Sequence, residues 1–158
     1  MKTLIIYYSY RGNTKKIAEM ISKRTGADTL RIETVVPYEG SYNKVVDQGQ
    51  EEVNAGYCPE IKPLSTDLSQ YDTIILGTPV WWYTFAPAMH TFLKNQNWDG
   101  KTVYPFATNG GWIGHTFKDI KNICHGADVK DGLNVRFDES TLRTSVKDIE
   151  NWTDKIIN

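Results

Sequence analysis

The sequence lacks most features that mark secreted, membrane-bound or nucleic-acid-binding proteins. Cysteine occurs only twice in 158 residues and forms no CxxC pair, which argues against a disulfide framework or a thiolate metal site. Eighteen Lys and Arg against nineteen Asp and Glu leave a net charge of −1, so nothing favours nucleic acid or an anionic membrane as partner. No apolar run approaches the roughly 20 residues that cross a bilayer. We therefore expect a cytoplasmic protein of one domain, residues 1–158, with no metal site.

Short β-prone runs alternate with stretches of helical periodicity along the chain. The third run contains Ile74, Ile75 and Leu76 without interruption, as expected for a central strand buried on both faces. Such alternation predicts βαβ units with right-handed crossovers. The predicted fold is α/β, a doubly wound five-stranded parallel sheet of order 2-1-3-4-5 with helices on both faces. The predicted strands are Leu4–Tyr8, Thr29–Glu33, Thr73–Gly77, Val103–Thr108 and Leu133–Phe137.

Five helices are predicted from apolar residues three or four positions apart. Gly26 provides a C-terminal stop for the first helix, and Pro87 stands in the first turn of the third. Gly49 lies on the apolar face of the second helix and weakens that prediction. The residues that define the helices are Ile17, Met20 and Ile21; Tyr42, Val46 and Val53; Met89, Phe92 and Leu93; Phe117, Ile120 and Ile123; and Val146, Ile149, Trp152 and Ile156.

The loop after the first strand has the composition of a phosphate-binding loop. Ligands of doubly wound sheets bind beyond the carboxyl ends of the strands, near the point where the strand order reverses. Unpaired N–H groups and the positive end of the helix dipole favour an anion there. Ordinary N-capping by Asn13 or Ser9 would explain one or two residues of this loop, but not all six. The loop consists of Ser9, Tyr10, Arg11, Gly12, Asn13 and Thr14.

Several familiar phosphate chemistries are missing from this loop. It contains neither the GxxxxGK[ST] pattern of a P-loop nor the GxGxxG pattern of a dinucleotide-binding turn. No cysteine opens the loop, so it lacks the nucleophile of a small tyrosine phosphatase. Ser9 and Thr78 stand at strand ends where a phosphoacceptor domain has aspartates. The loop is therefore predicted to hold a phosphate without cleaving it.

Aromatic residues and glycines dominate the loops after the third and fourth strands. Three consecutive aromatic rings in the first of these cannot all face one core, so at least one is available to a flat π-system. Glycines in the other let the backbone approach a ligand closely. For the first loop, the alternative is that one of its two tryptophans only packs against the end of the sheet. For the second loop, the alternative is a plain flexible turn. The two loops are Thr78-Pro79-Val80-Trp81-Trp82-Tyr83-Thr84 and Thr108-Asn109-Gly110-Gly111-Trp112-Ile113-Gly114-His115.

Together the three loops predict a ligand with a phosphate at one end and a planar polar ring at the other, and FMN fits that description. With these loops the chain resembles the flavodoxins over essentially its whole length, and it is similar to their short-chain type. The segment from Pro37 and Tyr38 through Tyr42 to Pro59 resembles a mostly bacterial subgroup of flavodoxin-like proteins.

The resemblance implies FMN as the cofactor and assigns three groups of residues to it. Its phosphate would meet Ser9, Arg11, Gly12, Asn13 and Thr14. Its ring would be bordered by Pro79, Val80, Trp81 and Trp82, and the pyrimidine edge of the ring by Thr108, Asn109, Gly110 and Gly111. The remaining members of the predicted cofactor site are Tyr10, Thr78, Tyr83, Trp112 and Gly114.

The resemblance implies electron transport between redox partner proteins, with no catalytic side chain and the chemistry supplied by the flavin. The alternative is an NAD(P)H-dependent reductase of quinones or other small molecules, with its substrate beside Trp82, Tyr83 or Trp112. Near-neutral charge favours this alternative, because typical flavodoxins are strongly acidic and steer toward basic partners. A non-redox binding module is a third possibility. We expect a monomer or weak dimer.

Carboxylates are few in the loops that are predicted to surround the ring. By electrostatics alone, this favours easier reduction of the flavin and a less negative potential. His115 is the only histidine in these loops and is a candidate for a hydrogen bond to flavin or substrate.

Overall fold

A computed structural model describes residues 2–157, so Met1 and Asn158, the ends of the predicted domain, lie outside the described residues. Within residues 2–157 the chain forms eight strands, five α-helices and one short 3₁₀ helix, Leu68–Gln70. The strands are β1 (Thr3–Tyr7), β2 (Asp28–Arg31), β3 (Thr73–Trp81), β4 (Thr84–Phe85), β5 (Thr102–Asn109), β6 (Asp128–Val129), β7 (Leu133–Asp138) and β8 (Thr141–Leu142). The helices are α1 (Asn13–Thr25), α2 (Tyr42–Ala55), α3 (Pro87–Lys94), α4 (Thr116–Ile123) and α5 (Val146–Ile157).

The five long strands pair in parallel in the order β2-β1-β3-β5-β7. This is the predicted order 2-1-3-4-5, and the predicted α/β fold is confirmed. The three short strands were not predicted: β4 and β8 pair antiparallel with β3 and β7, and β6 pairs parallel with β5. Each has only two residues, which is too short for a periodic signal in the sequence.

Strand β3 is longer than the sequence predicts. The predicted strand ends at Gly77, but β3 continues to Trp81, so residues 78–81 are strand and not loop. Proline usually argues against a central strand because it donates no backbone hydrogen bond. The pairing with β1 stops at Gly77, while the pairing with β5 continues to Pro79. Beyond Gly77 one side of β3 therefore has no neighbour in β1, and Pro79 is accommodated there.

Helices cover both faces of the sheet, as predicted. On one face α1 and α5 bury apolar residues against β1, β3 and β7; on the other, α2, α3 and α4 pack against the opposite side chains of the same sheet. The first layer includes Ile5, Ile17, Ile21, Ile75, Ile149 and Trp152. The second includes Ile6, Val45, Ile74, Met89, Phe92 and Ile120. None of the helices in residues 2–157 is long and apolar enough to span a membrane.

The helix ends carry the expected stop and start signals. Gly26 caps the C-terminus of α1, and Pro87 occupies the first turn of α3. Ser41 precedes α2, and its Oγ accepts a hydrogen bond from the backbone N–H of Lys44 at 3.2 Å.

The two cysteines differ in exposure, which leads to a first prediction. Cys124 is buried after α4, and burial raises the pKa of its thiol to about 12, whereas Cys58 is partly exposed. Because the thiolate is the reactive form, we expect iodoacetamide at about pH 8 to alkylate Cys58 and spare Cys124 in the folded protein. Mass spectrometry of the digested protein measures this. Equal labelling of both cysteines before unfolding would contradict the packing around α4.

Candidate cofactor-binding site

The loop between β1 and α1 folds around the side chain of Ser9. Ser9 Oγ accepts hydrogen bonds from the backbone N–H groups of Gly12, at 3.1 Å, and Lys15, at 3.2 Å. Gly12 has a φ of 102°, in the left-handed region that favours glycine. A Cβ built on Gly12 would meet nothing within 4 Å. The backbone on that side is therefore open to a ligand.

Buried hydroxyl groups stand at the start of α1 and at the neighbouring strand ends. Ser9, Thr14 and Thr108 are 4%, 1% and 4% exposed. Thr14 Oγ1 and Thr108 Oγ1 lie 2.7 Å apart, so one of the two donates to the other. The resemblance places Thr108 at the pyrimidine edge of the flavin, whereas the structure places it against Thr14 of the phosphate loop.

These hydroxyl groups have donors to spare. A hydroxyl has one O–H donor and two lone pairs, and Ser9 uses its oxygen to accept two bonds. Its own O–H has no acceptor among residues 2–157, and the second O–H of the Thr14–Thr108 pair is also unused there. The backbone N–H groups of Asn13 and Thr14, in the first turn of α1, likewise have no acceptor in residues 2–157. Spare donors at a helix N-terminus fit a phosphate group.

Two side chains of the predicted phosphate site have partners elsewhere. Asn13 Nδ2 donates to the backbone oxygen of Glu139, at 2.8 Å, in the turn between β7 and β8. The Arg11 guanidinium lies over the rings of Tyr10 and Tyr42, at 5.6 and 5.2 Å from their centroids. At the start of α1, the donors without an acceptor in residues 2–157 are therefore hydroxyl and backbone groups, while the Arg11 guanidinium lies over the two rings.

A tight turn at Trp82 and Tyr83 connects β3 to β4. Both residues have positive φ, 48° and 71°, which is rare for bulky side chains and is normally served by Asn and Gly in two-residue hairpins. Thr78 is buried beneath this hairpin, donating to the oxygen of Pro79 at 2.8 Å and accepting from the N–H of Ala86 at 3.1 Å. The structure thus places Thr78 among internal contacts, and it holds the two hairpin strands together.

The two tryptophans pack inward. From the sequence alone, packing at the sheet end was an alternative for only one of them. Trp81 meets the edges of Tyr10 and Tyr38, with ring centroids 5.8 and 4.9 Å apart. Trp82 Nε1 donates to the backbone oxygen of Val46 at 2.9 Å, which ties the hairpin to α2. Gly49 leaves room for this packing, because a Cβ there would lie 3.1 Å from Trp81 Cε3.

The tyrosines behind Trp81 stay protonated. Burial raises the pKa of Tyr8. Burial also raises the pKa of Tyr38, with a further contribution from its hydrogen bond to Glu52 at 2.6 Å. This wall therefore carries no phenolate charge at neutral pH.

The loop after β5 docks on the Trp82–Tyr83 turn. The N–H of His115 donates to the oxygen of Tyr83 at 2.8 Å. Gly114 has a φ of 57°, and a Cβ there would lie 2.6 Å from Tyr83 Cα. The rings of Tyr83 and Trp112 lie 4.9 Å apart with a 53° tilt, and they are 48% and 67% exposed. Both rings are therefore available to a ligand or to solvent.

Asn109 closes the base of the same loop. Its Oδ1 accepts from the N–H of Gly111 at 3.0 Å, and its Nδ2 donates to Asn134 Oδ1 at 2.6 Å. Gly110 and Gly111 lie at the surface between these contacts. The amide of Asn109 is therefore held in place, and the adjoining glycine backbone is open.

His115 forms a polar cluster that the sequence did not predict. Its Nδ1 pairs with Oδ2 of Asp119, one turn further along α4, and the same oxygen accepts from Thr84 Oγ1 at 2.6 Å. The second ring nitrogen of His115 has no hydrogen-bond partner among residues 2–157. The cluster joins α4 to the short strand β4.

A cleft of about 440 Å³ lies between the hairpin, the phosphate loop and α2. The sequence predicts that Tyr42, Val46 and Gly49 share one helical face, but it does not predict that α2 forms a wall of this cleft. The signal was Gly49, an interruption of that apolar face where a large ring packs. Arg11 alone is charged among the lining residues of the described chain. The cleft is lined by Tyr10, Arg11, Tyr42, Val45, Val46, Gly49, Val80, Trp81, Trp82, Tyr83 and Trp112.

A helix N-terminus with spare donors beside an aromatic cleft, at the carboxyl edge of a doubly wound sheet, is typical of a flavodoxin-like mononucleotide-binding protein. The spare hydroxyl and amide donors fit the phosphate of FMN, and the cleft fits a planar ring. The chain belongs to the flavodoxin family, whose model, described as Flavodoxin, matches residues 2–156.

Solved structures of similar proteins share this fold. One is a protein of Bacteroides eggerthii assigned as a flavoprotein, 30% identical, with a TM-score of 0.83 and coverage of 99% of this chain and 98% of that one. Another is a flavoprotein of Lactobacillus acidophilus in complex with FMN, 27% identical, with a TM-score of 0.73 and coverage of 96% and 98%. The predicted cofactor is confirmed at the level of the family by this complex.

Two curated relatives carry oxidoreductase names. An uncharacterized NAD(P)H oxidoreductase of Escherichia coli, YcaK, is 27% identical over 95 residues, which are 58% of this chain and 48% of that protein. An NAD(P)H dehydrogenase (quinone) of Cupriavidus metallidurans is 29% identical over 145 residues, covering 78% of this chain and 66% of that protein. The chain thus spans about half of the length of the first relative and about two thirds of the second.

Proposed function

We propose that this flavodoxin binds FMN in the cleft and acts as an NAD(P)H-dependent reductase of a small planar acceptor such as a quinone. The observation that carries the proposal is the composition of the cleft. It offers about 440 Å³ between aromatic walls, a volume typical of small-molecule sites, and its lining contains one arginine and no carboxylate. The oxidoreductase names of the two curated relatives support the same reaction class.

The cofactor phosphate is proposed to lie on the hydroxyl and backbone donors at the start of α1. The flavin ring is proposed to lie between the β3–β4 hairpin and the loop after β5. When bound, FMN supplies the redox chemistry, and the protein supplies position and surroundings. The proposed phosphate contacts are Ser9, Gly12, Asn13, Thr14 and Thr108. The proposed ring contacts are Pro79, Val80, Trp81, Trp82, Tyr83, Asn109, Gly110, Gly111 and Trp112, with Tyr10, Thr78 and Gly114 supporting them.

The balance of the proposed reaction needs no catalytic base in the cleft. NAD(P)H gives up a hydride, one proton comes from solvent, and a quinone gains both to become a hydroquinone. The protein must hold each planar reactant against the flavin in the right orientation, and such positioning lowers the barrier without a catalytic side chain. Tyr83 and Trp112, with their exposed rings, stand where the second molecule would stack.

An anaerobic titration tests the proposal. The FMN-loaded protein is mixed with one equivalent of NADPH, and the flavin absorbance is followed with no other protein present. We expect the flavin to be reduced within seconds to minutes, and menadione to restore its oxidised spectrum with formation of menadiol. Free FMN at the same concentration is the control for reduction without the protein. A flavin that binds but stays oxidised under NADPH would contradict the reductase.

Electron transport between partner proteins is the second candidate, and the exposed pair of Tyr83 and Trp112 favours it. Exposed aromatic residues are enriched where proteins meet. In this case reduction would require an added ferredoxin–NADP⁺ reductase, and menadione would not turn over with NADPH alone. We further propose one cytoplasmic domain that is monomeric or weakly dimeric.

A further inference from the structure

We propose that Arg11 binds a phosphate group of the nicotinamide dinucleotide in the cleft, and not the phosphate of FMN. The inference rests on the proposed reductase function. The resemblance assigns Arg11 to the FMN phosphate together with its loop neighbours, but the structure aims the guanidinium at α2 and at the lining of the cleft.

Arg11 is an uncompensated cation. Among residues 2–157 its guanidinium has no hydrogen-bond acceptor and no carboxylate within 4.0 Å. By contrast, Arg24 pairs with Asp154 at 2.7 Å, and Arg31 donates to the oxygen of Ser9 at 3.0 Å. The planar fork of five N–H donors on Arg11 is therefore free, and phosphate is the anion whose geometry matches it.

Two aromatic rings hold this cation beside the cleft. Its centroid distances of 5.6 Å to Tyr10 and 5.2 Å to Tyr42 lie within cation–π range. Tyr10 packs edge-on against Trp81, and Tyr42 begins α2, which the bond from Trp82 Nε1 to Val46 secures. The two rings thus restrict the conformations of the Arg11 side chain before a ligand binds. Less side-chain entropy is therefore lost on binding.

The phosphate of FMN has sufficient donors without Arg11. Four donors at the start of α1 have no acceptor in residues 2–157: the O–H of Ser9, one O–H of the Thr14–Thr108 pair, and the N–H groups of Asn13 and Thr14. Arg11 projects instead to the Tyr42 end of the cleft, and it is the single charge in the lining of the described residues. A second ligand that combines a planar ring with phosphates is a nicotinamide dinucleotide.

Binding of unreactive dinucleotides to the FMN-loaded protein tests this. Calorimetry with NADP⁺ and NAD⁺ compares the wild type with Arg11→Gln. We expect the Kd of at least one dinucleotide to rise about 10-fold or more in the variant, since hydrogen bonds to charged groups carry such effects. Arg11→Lys should retain part of the affinity. Lys23→Gln removes an equal charge at the far end of α1 and should leave both Kd values unchanged.

The two dinucleotides separate the two sources of phosphate. A loss for NADP⁺ alone identifies the 2′-phosphate, and an equal loss for both identifies the pyrophosphate; either result supports the proposal. The ratio of FMN to riboflavin affinity, measured on apoprotein, should not change in Arg11→Gln.

Unchanged dinucleotide binding in Arg11→Gln would overturn the proposal, and so would a loss of the preference for FMN over riboflavin. If wild-type protein oxidises NADPH but the variant binds NADP⁺ normally, only the role of Arg11 fails. If wild-type protein neither binds NADP⁺ nor reacts with NADPH, the proposed reductase fails and the role of Arg11 fails with it.

Discussion

Replacing Ser9 and Thr14 together by alanine is expected to raise the Kd for FMN about 100-fold or more, and to change the Kd for riboflavin much less. Each hydroxyl is proposed to donate a hydrogen bond to a doubly charged phosphate, and bonds to charged groups have large effects when lost. Ser9 also fixes the loop by accepting from Gly12 and Lys15, so its removal loosens the backbone donors as well. Riboflavin has no phosphate and should lose only the effect of that loosening.

Quenching of flavin fluorescence on binding to apoprotein measures both constants. Ser145→Ala is a matched control, because Ser145 Oγ likewise accepts from a backbone N–H, that of Asp148 at 3.1 Å, and begins a helix away from the site. It should change neither constant. An equal loss of affinity for FMN and riboflavin in the double variant would show that the loop at the start of α1 does not recognise the phosphate.

The sequence was informative about the fold because its strands and helices differ in period and alternate regularly. The buried run around Ile75 and the glycine and proline signals at Gly26 and Pro87 agree with the structure. The extension of β3 through Pro79 was not predictable in the same way. It depends on the pairing with β1 ending at Gly77, and the sequence of β3 does not show where a neighbouring strand ends.

The location of the candidate site is predictable from topology, but the contacts within it are not. The three loops lie at one edge of the sheet because parallel strands end there. The bond between Thr14 and Thr108 joins residues 94 positions apart, and the bond from Asn13 to Glu139 joins residues 126 apart. Neither pair has a local pattern. These contacts decide which donors remain free for a phosphate, so a list of polar loop residues overstates the number of side chains available.

Helix α2 shows how a residue that weakens a prediction can point to function. Gly49 lowers the helix propensity of its segment, yet the helix forms because its glycine face accepts the ring of Trp81. The same packing brings Tyr42 to the edge of the cleft, where it meets Arg11. The cost of a glycine in the helix is thus balanced by contact with the hairpin, and the contact gives the cleft its second wall.

Substituting Gly114 by alanine is expected to lower the free energy of unfolding by about 2–4 kcal/mol and to weaken FMN binding at least tenfold. The added Cβ would lie 2.6 Å from Tyr83 Cα and would have to adopt a φ of 57°. Relief of that overlap requires the loop after β5 to move off the Trp82–Tyr83 turn, which breaks the bond from His115 N–H to the oxygen of Tyr83. The two loops that are proposed to hold the flavin ring would then separate.

Gly100→Ala is the matched control at the opposite edge of the sheet, just before β5. Gly100 has a φ of 77°, so alanine meets similar backbone strain there, but a Cβ at position 100 meets nothing within 4 Å. Urea denaturation of the apoprotein should therefore show only the smaller loss that strain causes, and FMN titration should give the wild-type affinity. If Gly114→Ala loses stability but keeps its affinity for FMN, docking of the two loops serves the fold alone. If the affinity for FMN falls in Gly114→Ala but not in Gly100→Ala, contact between the loops is what builds the ring site, because only Gly114→Ala places the new methyl group against Tyr83.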